Sequence, residues 1–203
     1  MIKTLRYTFM AVIALICGSM SAQEVSPEVT LDFTSNTTWN IPVKENMGTT
    51  EQTFTNGTYS IKLAAPDGYY YNTSSKFLML GKKGATLTLP AFTFPVSKIE
   101  VVGTSNASAK VEQNIFVGES EVSTKTVGAN KPNTYEIGAE NQAIGTEYVF
   151  KVLSAQNTQI TKINIYKAEG KQKKSAALKF SETTVDYELG TTFTAPTFTK
   201  ATT

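Results

Sequence analysis

The chain has 203 residues, one cysteine, no histidine and a formal net charge of +2. Without histidine it cannot form a Ser-His-Asp triad or a Cys–His nucleophile, and zinc sites of the usual nitrogen and sulfur kind are excluded as well. Lys3 and Arg6 are two of the 19 basic residues, and all 17 acidic residues follow Ala22, so the chain beyond Ala22 is formally neutral. This balance favours neither nucleic acid nor an anionic membrane as a partner.

The first 22 residues have the pattern of a secretory signal peptide. Lys3 and Arg6 precede the apolar run Phe9–Cys17, and mostly small residues follow as far as Ala22. The apolar run is too short to span a bilayer, and cleavage near Ala22 would remove the only cysteine. The bulky Ile16 directly before Cys17 argues against a lipid anchor. We therefore expect an exported protein, periplasmic, on the cell surface or extracellular, with no transmembrane segment in its mature part.

The remaining sequence predicts an all-β fold. Apolar residues recur in short alternating runs, threonine is abundant, and no stretch has helical periodicity over three turns. About ten short strands separated by turn residues are typical of a β-sandwich. The predicted strands are Val29–Phe33, Thr53–Ala64 (a hairpin), Phe77–Leu80, Ala85–Leu89, Lys98–Gly103, Lys110–Val117, Thr134–Ile137, Glu147–Leu153 and Ile160–Tyr166.

Two of these segments predict local detail. Asn56-Gly57 lies between alternating strands and predicts a type I′ turn, in which both central residues have positive φ. Phe77–Leu80 is wholly apolar, which predicts a central strand covered on both faces.

Residues 29–166 resemble the jelly-roll modules of secreted bacterial surface proteins, within the galactose-binding-like group of β-sandwiches. The resemblance lies in Asp32-Phe33, the strand Phe77–Leu80, the segment Asn114–Gly118 and the closing Ile160–Tyr166. It implies a jelly-roll antiparallel β-sandwich over residues 23–167 and bears on the fold more than on the function. Such modules often hold a structural calcium ion, and the carboxylates available for one are Asp32, Asp67 and Glu147; no other cofactor or metal is expected.

The sequence then changes character. Residues 168–176 are polar and lysine-rich, which predicts a linker; the alternative is a solvated loop inside one domain. In residues 177–203, Tyr187, Leu189-Gly190, Phe193 and Pro196 are similar to the opening of a bacterial immunoglobulin-like repeat. This resemblance implies a truncated Ig-like β segment and further domains beyond Thr203.

The candidate binding residues are aromatic side chains beside polar ones. Trp39 lies in a polar stretch, and Tyr69, Tyr70 and Tyr71 lie between Asp67 and Asn72. Because neighbours in a strand alternate faces, at least one tyrosine should point away from the core and could stack on a sugar ring. The alternative is that these rings simply fill the core.

Catalysis has less support. Two carboxylates could hydrolyse a glycoside, but nothing in the sequence brings any two of Asp32, Glu45, Glu51 and Asp67 together. The Asn-x-Ser/Thr sequences at Asn36, Asn56, Asn72 and Asn106 are assigned no function. We predict a non-enzymatic module that recognises glycans. The alternatives are a structural or adhesive surface protein without a small ligand, and an accessory module of a larger polysaccharide-degrading enzyme.

Overall fold

Short strands dominate the computed structural model, which describes residues 26–169. The strands are β1 (Val29–Asp32), β2 (Gln52–Asn56), β3 (Tyr59–Ala64), β4 (Tyr69–Asn72), β5 (Phe77–Leu80), β6 (Thr86–Thr88), β7 (Val96–Gly103), β8 (Glu112–Val117), β9 (Ser120–Glu121), β10 (Thr126–Val127), β11 (Asn133–Glu136), β12 (Val149–Val152) and β13 (Thr158–Lys167). Two 3-10 helices, Lys44–Asn46 and Ala139–Asn141, are the helical elements of this part of the chain. Neither is long or apolar enough to cross a membrane.

The strands form two antiparallel sheets, so the predicted all-β sandwich is confirmed. Sheet A has the order β11-β7-β13-β5-β4, with β1 pairing beside β5 on the same side of β13. Sheet B has the order β10-β8-β12-β6-β3-β2, with β9 also pairing to β8. The late strands β12 and β13 lie between strands that come much earlier in the chain. Residues distant in sequence therefore become neighbours at the centre of each sheet.

The core lies between the sheets and follows from the alternation of side chains. Ile61 and Leu63 of sheet B and Ile163 and Ile165 of sheet A are fully buried, while the residues between them face outward. Tyrosines also enter this core, because each phenol finds a hydrogen-bond partner there: the Tyr148 hydroxyl donates to the Asn141 carbonyl at 2.6 Å.

Strand β5 confirms the prediction of a central strand covered on both faces. It lies between β13 and β4, and all four of its residues are buried. Leu78 and Leu80 belong to the core, whereas Phe77 and Met79 point to the outer face of sheet A and are 5% and 9% exposed. The outer face of this sheet therefore has an apolar region of its own.

The β2–β3 hairpin forms as predicted, but its turn is different. Asn56 pairs with Tyr59, so the two turn residues are Gly57 and Thr58. Gly57 has φ +61°, and Asn56 does not have a positive φ. Glycine at the first central position is the pattern of a type II′ turn, so the type I′ prediction was wrong.

The outer edge of β4 is covered by an irregular segment, residues 42–48. The Tyr71 N–H donates to the Pro42 carbonyl at 2.7 Å, and Gly48 and Tyr69 exchange two backbone hydrogen bonds of 3.0 and 2.8 Å. These bonds use the backbone groups that an edge strand would otherwise offer to another chain. What remains accessible of β4 is its outer face.

Three of the predicted regions lie outside the described residues: the signal peptide, residues 177–203, and nearly all of the linker 168–176.

Candidate functional site

Trp39 is part of the interior. The residue is 2% exposed, its ring stacks on Phe33 with centroids 5.3 Å apart, and its indole N–H donates to the Asp32 carbonyl at 2.8 Å. Both the ring face and the polar group are therefore engaged inside the fold, and the indole presents no open face to a sugar.

The three tyrosines of β4 are divided by the alternation of the strand. Tyr69 and Tyr71 point into the core, where their hydroxyls donate to the carbonyls of Thr50 at 3.1 Å and Thr34 at 2.9 Å. Burial raises the pKa of both hydroxyls, and the charge of Asp32 raises that of Tyr71 further. Tyr70 points outward and is partly exposed. The expectation that at least one tyrosine faces away from the core is thus confirmed, and that tyrosine is Tyr70.

Of the two polar candidates, only Asn72 shares a cleft with Tyr70. Asn72 lies on the same outer face, and its Oδ1 accepts the Ser75 N–H at 2.8 Å. The cleft is small, about 120 Å³. It is lined by Val43, Lys44, Glu45, Tyr70, Tyr71, Asn72, Thr73 and Ser74. Asp67 lies in the turn before β4 instead, with its carboxylate 3.9 Å from Lys82 Nζ.

A larger cleft of about 360 Å³ lies on the other side of the β4–β5 turn; we call it the polar cleft. Three chain segments form it: the β4–β5 hairpin, the loop between β7 and β8, and strand β13. Its lining residues are Ser75, Phe77, Thr104, Ser105, Asn106 and Gln159. All six are uncharged, and five of them carry a hydroxyl or an amide.

One hydrogen bond between two residues of the polar cleft orients the Gln159 amide. The Thr104 hydroxyl donates to Gln159 Oε1. With Oε1 occupied, the Gln159 amide has its NH₂ donors for other partners. Asn106 and Ser105 are exposed at the rim, whereas Phe77 is buried beneath them.

None of the six residues that line the polar cleft was predicted from the sequence as a binding residue. The apolar run Phe77–Leu80 predicts a covered strand, and Asn106 belongs only to an Asn-x-Ser sequence that is assigned no function. A signal was present, since residues 104–106 are three consecutive hydrogen-bonding side chains after a predicted strand. Such composition also marks an ordinary turn.

The carboxylates considered for calcium do not form one site. Asp32, Asp67 and Glu147 each lie beside a different lysine, Lys162 at 3.6 Å, Lys82 at 3.9 Å and Lys62 at 3.6 Å. Within residues 26–169, no three acidic, histidine or cysteine side chains gather where they could hold a metal ion.

Asp32 has a structural role at the end of β1. Its carboxylate accepts the backbone N–H and the hydroxyl of Thr34 at 2.7 and 2.6 Å. Partial burial alone would raise the pKa of Asp32, but these two hydrogen bonds and the Lys162 charge lower it. The ionised carboxylate thus fixes the chain where it leaves the strand.

No protein-family model and no curated protein matches this chain.

Proposed function

We propose that this protein is an exported, non-catalytic binding module that recognises uncharged glycans through the polar cleft. One observation carries the proposal: five uncharged hydrogen-bonding side chains from three chain segments converge above Phe77. A sugar offers hydroxyls that both donate and accept, and hydroxyl and amide side chains can do the same in return. The volume of the cleft lies within the usual range for small-molecule sites.

The lining of the cleft favours a neutral sugar over an acidic one. A carboxylate or sulfate that leaves water needs a cationic or strongly donating partner, and none of the six lining residues carries a charge. A neutral sugar loses less on desolvation and finds matching partners in Asn106, Gln159 and Ser75.

The same proposal includes the finer identity of the fold and the location of the protein. We propose a jelly roll of the galactose-binding-like group, and the strand order supports it: β12 lies between β6 and β8, and β13 lies between β5 and β7. Such insertions of a late strand between earlier ones are typical of Greek-key connections, from which jelly rolls are built. Export rests on the sequence pattern of residues 1–22.

A structural or adhesive role is the second candidate, and the burial of aromatic rings favours it. Trp39, Tyr69 and Tyr71 are all in the core, so three of the four rings first considered for sugar binding stabilise the sandwich. If the polar cleft binds nothing, the sandwich acts by spacing or presenting other parts of the protein.

The test is binding of the purified chain to an array of neutral and acidic oligosaccharides. We expect binding to neutral glycans only. Asn106→Ala and Gln159→Ala should each lower the affinity for the bound glycan about fivefold or more, because each removes hydrogen bonds. Gln52→Ala is the matched control, since Gln52 is exposed on β2 of the other sheet. No binding to neutral glycans would overturn the proposal. So would equal binding by folded wild-type, Asn106→Ala and Gln159→Ala proteins.

A further inference from the structure

We infer that the polar cleft is one end of a longer site, and that Tyr70 stacks on a second sugar ring, so that the protein binds neutral oligosaccharides in preference to single sugars. This inference rests on the proposed function and adds the length of the ligand and the aromatic residue that recognises it.

Strand register places Tyr70 and the polar cleft on one continuous surface. Tyr70 lies directly opposite Met79 of β5, and Met79 lies directly opposite Gln159 of β13. Residues opposite one another in antiparallel strands share a face, so all three belong to the outer face of sheet A. With strands ~4.8 Å apart, Tyr70 and Gln159 are separated by ~10 Å across the sheet, which exceeds the width of one sugar ring.

The two clefts also adjoin along the strands. Asn72 lies opposite Phe77, which makes Tyr70 the diagonal neighbour of Phe77, typically ~7–8 Å away. The β4–β5 turn separates the clefts: Thr73 and Ser74 line the small one, and Ser75 lines the polar one. A ligand that rests on the hairpin can therefore reach both.

The surface between the clefts suits an uncharged chain. Met79 lies between Tyr70 and Gln159, is 9% exposed and carries no hydrogen-bond donor that would need a partner. Lys44 and Glu45, which border the small cleft, carry opposite charges. An oligosaccharide that crosses Met79 covers no charged side chain at that position.

The two clefts supply different kinds of contact. The polar cleft offers amides and hydroxyls, but its aromatic residue, Phe77, is 5% exposed and has little ring face to give. Tyr70 is partly exposed and supplies the planar apolar face that a sugar ring packs against. Hydrogen bonding and stacking thus occur at separate places, and a ligand needs more than one sugar residue to use both.

The test compares affinities along series of increasing length. Cello-, manno- and galacto-oligosaccharides of one to four residues are titrated into the purified chain, by calorimetry for tight binding and by saturation-transfer NMR for weak binding. In at least one series we expect affinity to rise about three- to tenfold between one and three residues, the gain from one stacked ring. Tyr70→Ala should lose this gain and keep the affinity for the monosaccharide. Tyr70→Phe keeps the ring and should retain the gain.

The outcomes separate this inference from the proposed function. A gain with length that persists in folded Tyr70→Ala, or no gain with length, overturns the two-ring site. In that case the loss of monosaccharide binding in Asn106→Ala would still support the polar cleft. If neither these sugars nor any neutral glycan on the array binds, both proposals are overturned. Because Tyr70 lies outside the core cluster, we expect its variants to fold as the wild type does. A single cooperative transition in a thermal melt checks this.

Discussion

Trp39 and Phe33 stack with ring centroids 5.3 Å apart and planes inclined by 27°. Phe33 directly follows β1, and the indole N–H of Trp39 bonds back to the last residue of that strand. The pair fastens the polar loop of residues 34–40 onto the end of the sandwich. A tryptophan in a polar segment is here an anchor for the loop, and of the four rings considered for sugar binding only Tyr70 is accessible.

The burial of Trp39 predicts its fluorescence. Trp39 is the only tryptophan of the chain and is 2% exposed, so the native protein should emit at short wavelength and resist quenching by acrylamide. Addition of an oligosaccharide that binds should leave this emission unchanged, because no face of the indole is open to a ligand. Steady-state emission with and without sugar checks both points. A solvent-exposed spectrum, or a shift on sugar addition, would contradict the burial.

Removing the indole should destabilise the protein. Trp39→Ala loses the stacking on Phe33 and leaves a cavity, for which we expect a loss of about 3–5 kcal/mol in the free energy of unfolding. Urea denaturation followed by far-UV circular dichroism measures it, since the variant has no tryptophan to observe. A variant as stable as the wild type would show that the loop is held by other contacts.

Much of the fold could be predicted from the sequence, because local patterning decides it. Alternation in Tyr59–Ala64 and the apolar run Phe77–Leu80 identified their strands, since the burial of a face leaves a period of two. The binding surface could not be predicted in this way. Ser75, Asn106 and Gln159 meet only because β13 pairs with β5 and β7, and pairing between distant strands leaves no local trace.

The alternation of side chains along β4 decides which of its tyrosines is accessible. Tyr69, Tyr70 and Tyr71 are identical as letters, and which of them faces outward depends on the register with β5. A slip by one residue would have exposed Tyr69 and Tyr71 and buried Tyr70. The sequence restricts the choice to one face or the other, and the pairing makes the choice.

Gly48 should tolerate no side chain. It exchanges two backbone hydrogen bonds with Tyr69, and a Cβ at this position would overlap the Tyr69 ring, which is fully buried. The ring cannot move aside without losing its hydrogen bond to the Thr50 carbonyl. Gly48→Ala should therefore lower the free energy of unfolding by about 1–3 kcal/mol, measured by urea denaturation.

The control for this substitution is Thr49→Ala. Thr49 is the next residue along the chain and is exposed. We expect the stability of this variant to stay within about 0.5 kcal/mol of wild type. Equal stability of Gly48→Ala and Thr49→Ala would show that the contact between Gly48 and Tyr69 is loose.

Tyr135 should make stability depend on alkaline pH. Burial raises the pKa of its hydroxyl well above the ordinary value of about 10, although the side chains of Thr126 and Gln113 beside it act in the opposite direction. Above pH ~10 the unfolded chain releases this proton and the folded chain keeps it. The contribution of Tyr135 to the free energy of unfolding is therefore fully present below pH ~10. It is lost as pH rises, at up to about 1.4 kcal/mol per pH unit.

Tyr135→Phe isolates this effect. The variant loses the hydrogen bond to Thr126, so it should be less stable than wild type by a constant amount between pH 6 and 9. Above pH ~10 the difference should shrink, because the phenylalanine variant has no proton to release. Urea midpoints at each pH give the comparison. A difference that stays constant through pH 11 would show that Tyr135 ionises as easily in the folded protein as in the unfolded chain.

Asn114 should hold residues 120–123 against the outer face of sheet B, where Asn114 is fully buried. Its Nδ2 donates to Glu121 Oε2 at 2.8 Å and to the Ser123 carbonyl at 3.0 Å. Its Oδ1 accepts the Ile115 N–H and the Ser123 hydroxyl. Asn114→Ala would remove all four bonds, one of them to the N–H of the buried Ile115, so we expect a loss of about 2–3 kcal/mol in the free energy of unfolding. Urea denaturation measures the loss, and faster amide hydrogen exchange at residues 120–123 would locate it.

Asn106→Ala is the matched control, because Asn106 is exposed and should change stability by less than about 0.5 kcal/mol. If the two substitutions had equal effects, the hydrogen bonds of Asn114 would contribute nothing net to the free energy of unfolding. Water would then replace these bonds in the variant at no cost.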